Sequence, residues 1–151
     1  MPVTDTAVRR EITVKAAPER AFEVFATRLD GWWPRSYSIG ATDMAEVAIE
    51  PRQGGRWYER GADGTECVWG EVLTYDPPRR LTLTWAIGGD WQPDTHASEI
   101  DVTFTAVAEG TRVTLVHSGF EGHNEEAALR GAIGGDGGWS GLLAGYAGAV
   151  G

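Results

Sequence analysis

The stretch from Val47 to Trp85 limits what this chain can fold into more than any other part of it. Segments rich in Val, Leu, Tyr, Thr and Trp follow one another there, separated by Gly54-Gly55, Asp63-Gly64 and Pro77-Pro78. β-Branched and aromatic residues suit a pleated, half-buried surface, while Gly and Pro mark the points where a strand must turn. The pattern predicts an antiparallel meander with strands at 46–50, 56–60, 67–75 and 80–87. Residues 62–65 read as a hairpin turn, with Gly64 at the position that needs positive φ.

The flanking segments add to that sheet. Residues 1–6 read as a frayed terminus, and Val8, Ile12 and Val14 share one face of a first strand at 8–15. Pro18 suits a first helical turn, Glu19 favours the positive end of a helix, and Ala21, Phe22, Val24, Phe25 and Leu29 recur at helical spacing. A helix at 18–29 follows, ended by Asp30-Gly31, with an irregular segment from Trp32-Trp33-Pro34 to about Thr42. Beyond the meander lie a loop at 88–95 carrying Trp91, and a strand at 97–107 with Ile100, Val102 and Phe104 on one face. A last strand at 111–117 puts Val113, Leu115 and His117 together. Two helical pieces, 124–133 and 138–149, are interrupted by Gly134-Gly135-Asp136-Gly137-Gly138. Each interior Gly costs a helix roughly 1 kcal/mol relative to Ala. Packing of Trp139, Leu142, Leu143 and Tyr146 on the sheet must offset that cost.

Composition narrows the function classes. A chain of 151 residues, 42% hydrophobic, fits one domain spanning 1–151. Its formal charge of −9 and scattered basic residues disfavour nucleic acid, which needs a positive patch. The lone Cys67 forms no internal disulfide and suits a reducing compartment. With no signal-peptide pattern and no apolar run near the ~20 residues that span a bilayer, a cytoplasmic protein without membrane insertion is expected.

Six ordered motifs carry a family resemblance: A-A-P-E-R-A-F-E-V-F from Ala16, D-G-W-W-P from Asp30, P-R-Q-G-G-R-W from Pro51, W-G-E-V from Trp69 with P-P-R-R-L-T-L-T-W from Pro77, T-R-V-T-L-V-H-S-G-F from Thr111, and G-G-W ending at Trp139. Together they resemble the Hsp90 ATPase activator homologue-like family, within the START and Bet v 1-like superfamily, from about Val8 to Tyr146. The resemblance implies an α+β helix-grip fold: a curved, seven-stranded antiparallel sheet wrapped around a long C-terminal helix, with an internal cavity. It does not fix a function, because such folds host many.

An apolar cavity with a few placed polar groups is how small-molecule sites are usually built. Trp57, Trp69, Trp85, Trp91, Trp139, Phe104 and Phe120 are the candidates to line it, with Trp85 foremost beside Leu81 and Leu83. The alternative for each is an ordinary core position. Trp32 and Trp33 form either a mouth or a plug between helix and sheet. His117 is the polar candidate for orienting a ligand or moving a proton, against a satisfied core histidine. Glu71 is a second proton-transfer candidate only if the face it shares with Trp69 and Leu73 is inward; the alternation of Val68, Gly70 and Val72 argues against that. His117, Glu121, His123, Glu125 and Glu126 match no compact zinc spacing. The glycine runs match no phosphate or dinucleotide loop, and Cys67 has no paired His nearby, so neither metal nor cofactor is expected. The first reading is a module that binds a small hydrophobic or aromatic ligand without catalysis. The others are a cyclase- or aromatase-like enzyme on a polyketide-type substrate, and a chaperone-linked interaction protein. An exposed edge strand such as 46–50 is a place for a homodimer to form.

Overall fold

The computed structural model describes residues 7–150; the segment expected to fray, 1–6, lies outside them. Its elements run β1 (Val8–Val14), α1 (Pro18–Ala26), β2 (Met44–Ile49), β3 (Arg56–Gly61), β4 (Glu66–Asp76), β5 (Arg80–Ile87), β6 (Pro93–Val107), β7 (Gly110–Ser118), α2 (Glu126–Gly134) and α3 (Gly141–Val150). All seven strands form one antiparallel sheet in the order β1-β7-β6-β5-β4-β3-β2. The sheet curls around the C-terminal helical region, which is the helix-grip architecture.

α1 begins where Pro18 needs no donor and buries Ala21, Phe22, Val24, Phe25 and Ala26. It stops at Ala26, three residues short of the expected Leu29. There the Thr27 hydroxyl competes for the Glu23 carbonyl at 2.6 Å, and the chain then tightens into a short turn at Leu29–Gly31. Phe22 and Phe25 pack against Phe104 with ring centroids 5.1 and 5.9 Å apart, and the Tyr146 hydroxyl of α3 donates to the Ala21 carbonyl at 2.7 Å. These contacts fasten both helices to one end of the sheet.

The middle of the sheet departs from simple alternation. Trp57 pairs with Gly70 but Tyr58 pairs with Val68, so Trp69 is an extra residue on β4, a bulge. A second register shift follows between Val72 and Thr74. The bulge breaks the shared face of Trp69, Glu71 and Leu73: Trp69 and Val72 are buried, while Val68, Glu71 and Leu73 are exposed. Gly70 sits against β5 so closely that a Cβ there would lie 1.9 Å from the Thr84 carbonyl oxygen. β6 starts at Pro93, well before the expected Ala97, because a strand's first residue tolerates a missing donor and Pro93 pairs with Ile87.

The helical region is interrupted where the glycines predict. Asp136–Ser140 forms a distorted turn between α2 and α3, broken at Gly138 (φ −86°, ψ −139°). The sheet's two edges are β1 and β2, and on β2 the Asp30 carboxylate accepts the Val47 N–H at 3.0 Å. One of that edge's donors is therefore already engaged.

Candidate functional site: an aromatic cavity

A cavity of about 560 Å³ opens between β4 and β5, the segment 33–39, and the broken helical region. Its walls are Trp33, Trp69, Trp85 and Trp91 with Ile39, Ile87, Ile133 and Leu142, and along the helical side mainly glycine backbone. The bulge turns Trp69 inward, and regular alternation on β5 turns Trp85 the same way. Trp91 stands at the mouth, 43% exposed, on a residue with φ of 58°. An aromatic residue in the left-handed region is rare and strained. The loop that holds it there is pinned by the Gly89 N–H donating to the Asn124 carbonyl at 2.7 Å.

The segment 33–39 is fixed by three ties. The Trp33 indole donates to the Tyr37 carbonyl at 3.1 Å, and the Tyr37 hydroxyl crosses to the Gly137 carbonyl at 2.7 Å. The third tie is Glu59, a carboxylate on β3 with no exposed surface. Its Oε1 accepts the Ile39 N–H at 2.6 Å and the Trp69 indole N–H at 3.0 Å, and its Oε2 accepts the Ser38 hydroxyl at 2.6 Å. A buried carboxyl group needs such partners, and here they join a strand, a bulge and the wall segment in one cluster.

Of the residues expected to bind ligand, Trp69, Trp85 and Trp91 line the cavity, as does Trp33. Trp57, Phe104, His117 and Trp139 do not. Trp57 is 1% exposed behind the wall, with ring centroids 5.3 Å from Trp69 and 5.6 Å from Trp85. Its N–H finds no hydrogen-bond acceptor. Phe104 is occupied by Phe22 and Phe25, and Phe120 stacks on His117 at 4.4 Å. Trp32 is a core plug, its indole donating to the Val24 carbonyl at 3.0 Å. Glu71 points to solvent, so the proton-transfer role considered for it has no place in this cavity.

His117 is fully buried within a chain of polar groups. The Trp139 indole lies 3.1 Å from His117 Nδ1, and an indole only donates, so Nδ1 is an acceptor. Burial, with the neighbouring His123 ring, pushes the His117 pKa down to about 3. The ring is thus neutral at physiological pH, and its Nε2–H donates to Ser98 Oγ at 2.8 Å. Ser98 Oγ lies 2.9 Å from His123 Nε2, and His123 Nδ1 lies 2.8 Å from Asp94 Oδ2. Desolvation raises the Asp94 pKa, but hydrogen bonds from His123 and from the Asn124 and His96 N–H groups outweigh it and hold the value at about 2. Asp94, His123 and Ser98 have the connectivity of a nucleophile-activating triad. A second imidazole flanks the serine, though, and Ser98 lies outside the cavity wall, so the arrangement ties β6 and β7 to the segment ahead of α2.

Sequence reasoning missed Glu59, Ser38, Ser98 and Asp94. Two left a signal: Glu59 is in phase with inward Trp57 on β3, and Ser98 with inward Ile100 on β6. Among the described residues no group of three or more His, Cys, Asp or Glu is placed to hold a metal.

A seven-stranded sheet curled on a broken helix, with a tryptophan-walled cavity between them, defines a helix-grip protein of the ligand-binding kind. The family model for activator of Hsp90 ATPase homolog 1-like proteins matches residues 15–147, and the chain belongs to that family. Among solved structures it is similar to an anthrahydroquino-gamma-pyrone synthase, Txn09, at 40% identity, covering 98% of this chain and 99% of that one, with a TM-score of 0.65. It is also similar to CalC, a self-sacrificing resistance protein from Micromonospora echinospora, at 30% identity over 97% and 94% of the two chains, TM-score 0.70. The Aha1 dimer from Colwellia psychrerythraea shares the fold at 17% identity, covering 95% of each chain, TM-score 0.62. Among curated proteins none matches. No helix of the described residues is long and apolar enough to cross a membrane.

Proposed function

We propose that this protein binds a flat, largely apolar aromatic molecule of polyketide type in the cavity. The observation that carries the reading is the wall itself: Trp33, Trp69, Trp85 and Trp91 around about 560 Å³ of space. Tryptophan faces stack on flat rings and give large contact area at little entropic cost. Quenching of tryptophan emission by a panel of fused-ring aromatics, sterols and fatty acids tests it. Saturable quenching by the fused-ring compounds is the expected result, and no saturable binding across the panel rules the reading out.

A second reading, catalysis of ring closure on such a ligand, is favoured by the 40% identity to a pyrone synthase over almost the whole of both chains. The reaction class is attack of a phenol oxygen on a side-chain ketone, then loss of one water to give the fused pyrone. Incubation with an ortho-hydroxyaryl diketone, followed by mass and absorbance, checks it. A rate equal to that in buffer leaves the binding role alone.

A further inference from the structure

We propose that the cavity selects ligands carrying hydrogen-bond donors, phenols and enols above all, and that the Ser38–Glu59 pair is where a ligand hydroxyl is read. The proposal rests on the cavity being an aromatic-ligand site, and it names which members of that class fit.

Most side-chain donors around the wall already have partners within the protein. The indole N–H groups of Trp33, Trp69 and Trp85 are committed to the Tyr37 carbonyl, Glu59 and the Ile87 carbonyl. The Tyr37 hydroxyl is committed to the Gly137 carbonyl, and the Ser38 hydroxyl to Glu59. Backbone N–H groups are engaged as well: Tyr37 with Pro34, Ile39 with Glu59, Gly135 with Ala132, and Gly138 with Gly135. Ser36 and Trp91 carry the other side-chain donors of the lining, and both are exposed to solvent. Trp57, whose N–H has no acceptor, does not line the cavity. Most side-chain donors facing the interior are therefore already spent, while Ser38 keeps an acceptor open.

Ser38 is the acceptor best placed to discriminate. A hydroxyl has one proton and two lone pairs. The proton goes to a fully buried carboxylate at 2.6 Å, and one lone pair receives the Gly40 N–H at 3.3 Å. One lone pair remains, on a residue that lines the cavity. With its one proton directed at Glu59, Ser38 presents an acceptor to the cavity, and its bond to Glu59 strengthens the bond it accepts. A ligand phenol meets that lone pair. A carbonyl or ether oxygen at the same point meets another lone pair and loses its water without replacement, which is costly.

The test uses β-anthrol and its methyl ether, which differ by one donor, titrated against tryptophan emission. The wild-type protein is expected to bind β-anthrol about five- to tenfold more tightly than the ether. Glu59→Gln keeps an acceptor for Ile39 and Trp69 but turns an amide N–H toward Ser38, freeing the serine proton for the cavity. In that variant the preference is expected to vanish or reverse. Ser38→Ala, which leaves Glu59 in place, is expected to bind both compounds with equal affinity, and it decides the matter if Glu59→Gln fails to fold by circular dichroism. Equal wild-type affinities, or a preference that survives in either folded variant, overturns the proposal while the cavity remains a ligand site. Wild-type protein that binds neither compound overturns both.

Discussion

At the scale of single residues, folding changes what His117 can do. Its ordinary pKa of 6.5 falls to about 3 because burial disfavours the imidazolium. Below pH 6.5 the unfolded chain therefore takes up a proton that the folded protein refuses until about pH 3, so stability falls as pH is lowered through that window. The loss is on the order of a few kcal/mol. Asp94, held at about 2, adds a further loss below its ordinary 3.8. His117→Gln still offers an acceptor to Trp139 and a donor to Ser98 but does not titrate; urea denaturation between pH 6.5 and 4 is expected to show a flatter acid limb for it than for wild type. Glu71 and Trp69 make a contrasting pair two positions apart on β4. Glu71→Ala is expected to leave ligand quenching unchanged, whereas Trp69→Ala removes a wall and the Glu59 donor together and weakens binding at least tenfold. The facing of Glu71 was undecided by alternation alone, since a bulge inserts one residue and carries no sequence mark of its own. Glu59 was readable in principle from its phase with Trp57, yet a carboxylate inside a sheet runs against the general rule that charges stay outside.

At the scale of elements, Gly70 and Gly138 are among the glycines that hold places where no side chain fits. At Gly70 a Cβ would strike the Thr84 carbonyl at 1.9 Å, and at Gly138 the Ile133 carbonyl at 2.0 Å. Both contacts are to backbone, so something must move. Gly70→Ala is expected to lower stability by about 2 kcal/mol or more, measured as a lower urea midpoint with unchanged slope. Gly138→Ala is expected to straighten or displace the turn before α3 and alter ligand affinity more than stability. Strands were the most legible elements, because period-two alternation and the Gly-Gly, Asp-Gly and Pro-Pro punctuation agree with each other along the meander. The break between α2 and α3 was equally visible in its glycines. Less visible were the early end of α1, set by one hydroxyl at Thr27, and the early start of β6, set by pairing with Ile87. Both depend on contacts that propensity does not contain.

At the scale of the whole molecule, the aromatic count divides into wall and support. Trp33, Trp69, Trp85 and Trp91 meet the cavity, and Trp32, Trp57 and Trp139 stand behind as core. Composition supplied the number of tryptophans, but only the curl of the sheet separates the two groups. A ligand that binds the folded state alone stabilises it by about 2.7 kcal/mol at a hundred times its dissociation constant. For a domain of this size that is a rise in Tm of roughly 5–10 °C, and a thermal shift of that order with a fused-ring aromatic is the expected outcome.

The helical wall has a consequence of another kind. Gly131 lies within α2, exposed at the rim of the cavity lining, and has no atom within 4 Å of where a Cβ would stand. An alanine there would favour the helix by up to about 1 kcal/mol, so the glycine leaves stability unclaimed in exchange for empty volume. Successively larger residues at that one position, Ala, Val and Leu, form a graded gauge of how deep an occupant reaches. All three should raise the thermal midpoint above that of the glycine, alanine most, while the largest ligand tolerated becomes smaller along the series. In this fold robustness and capacity are set against each other at a single point on the backbone.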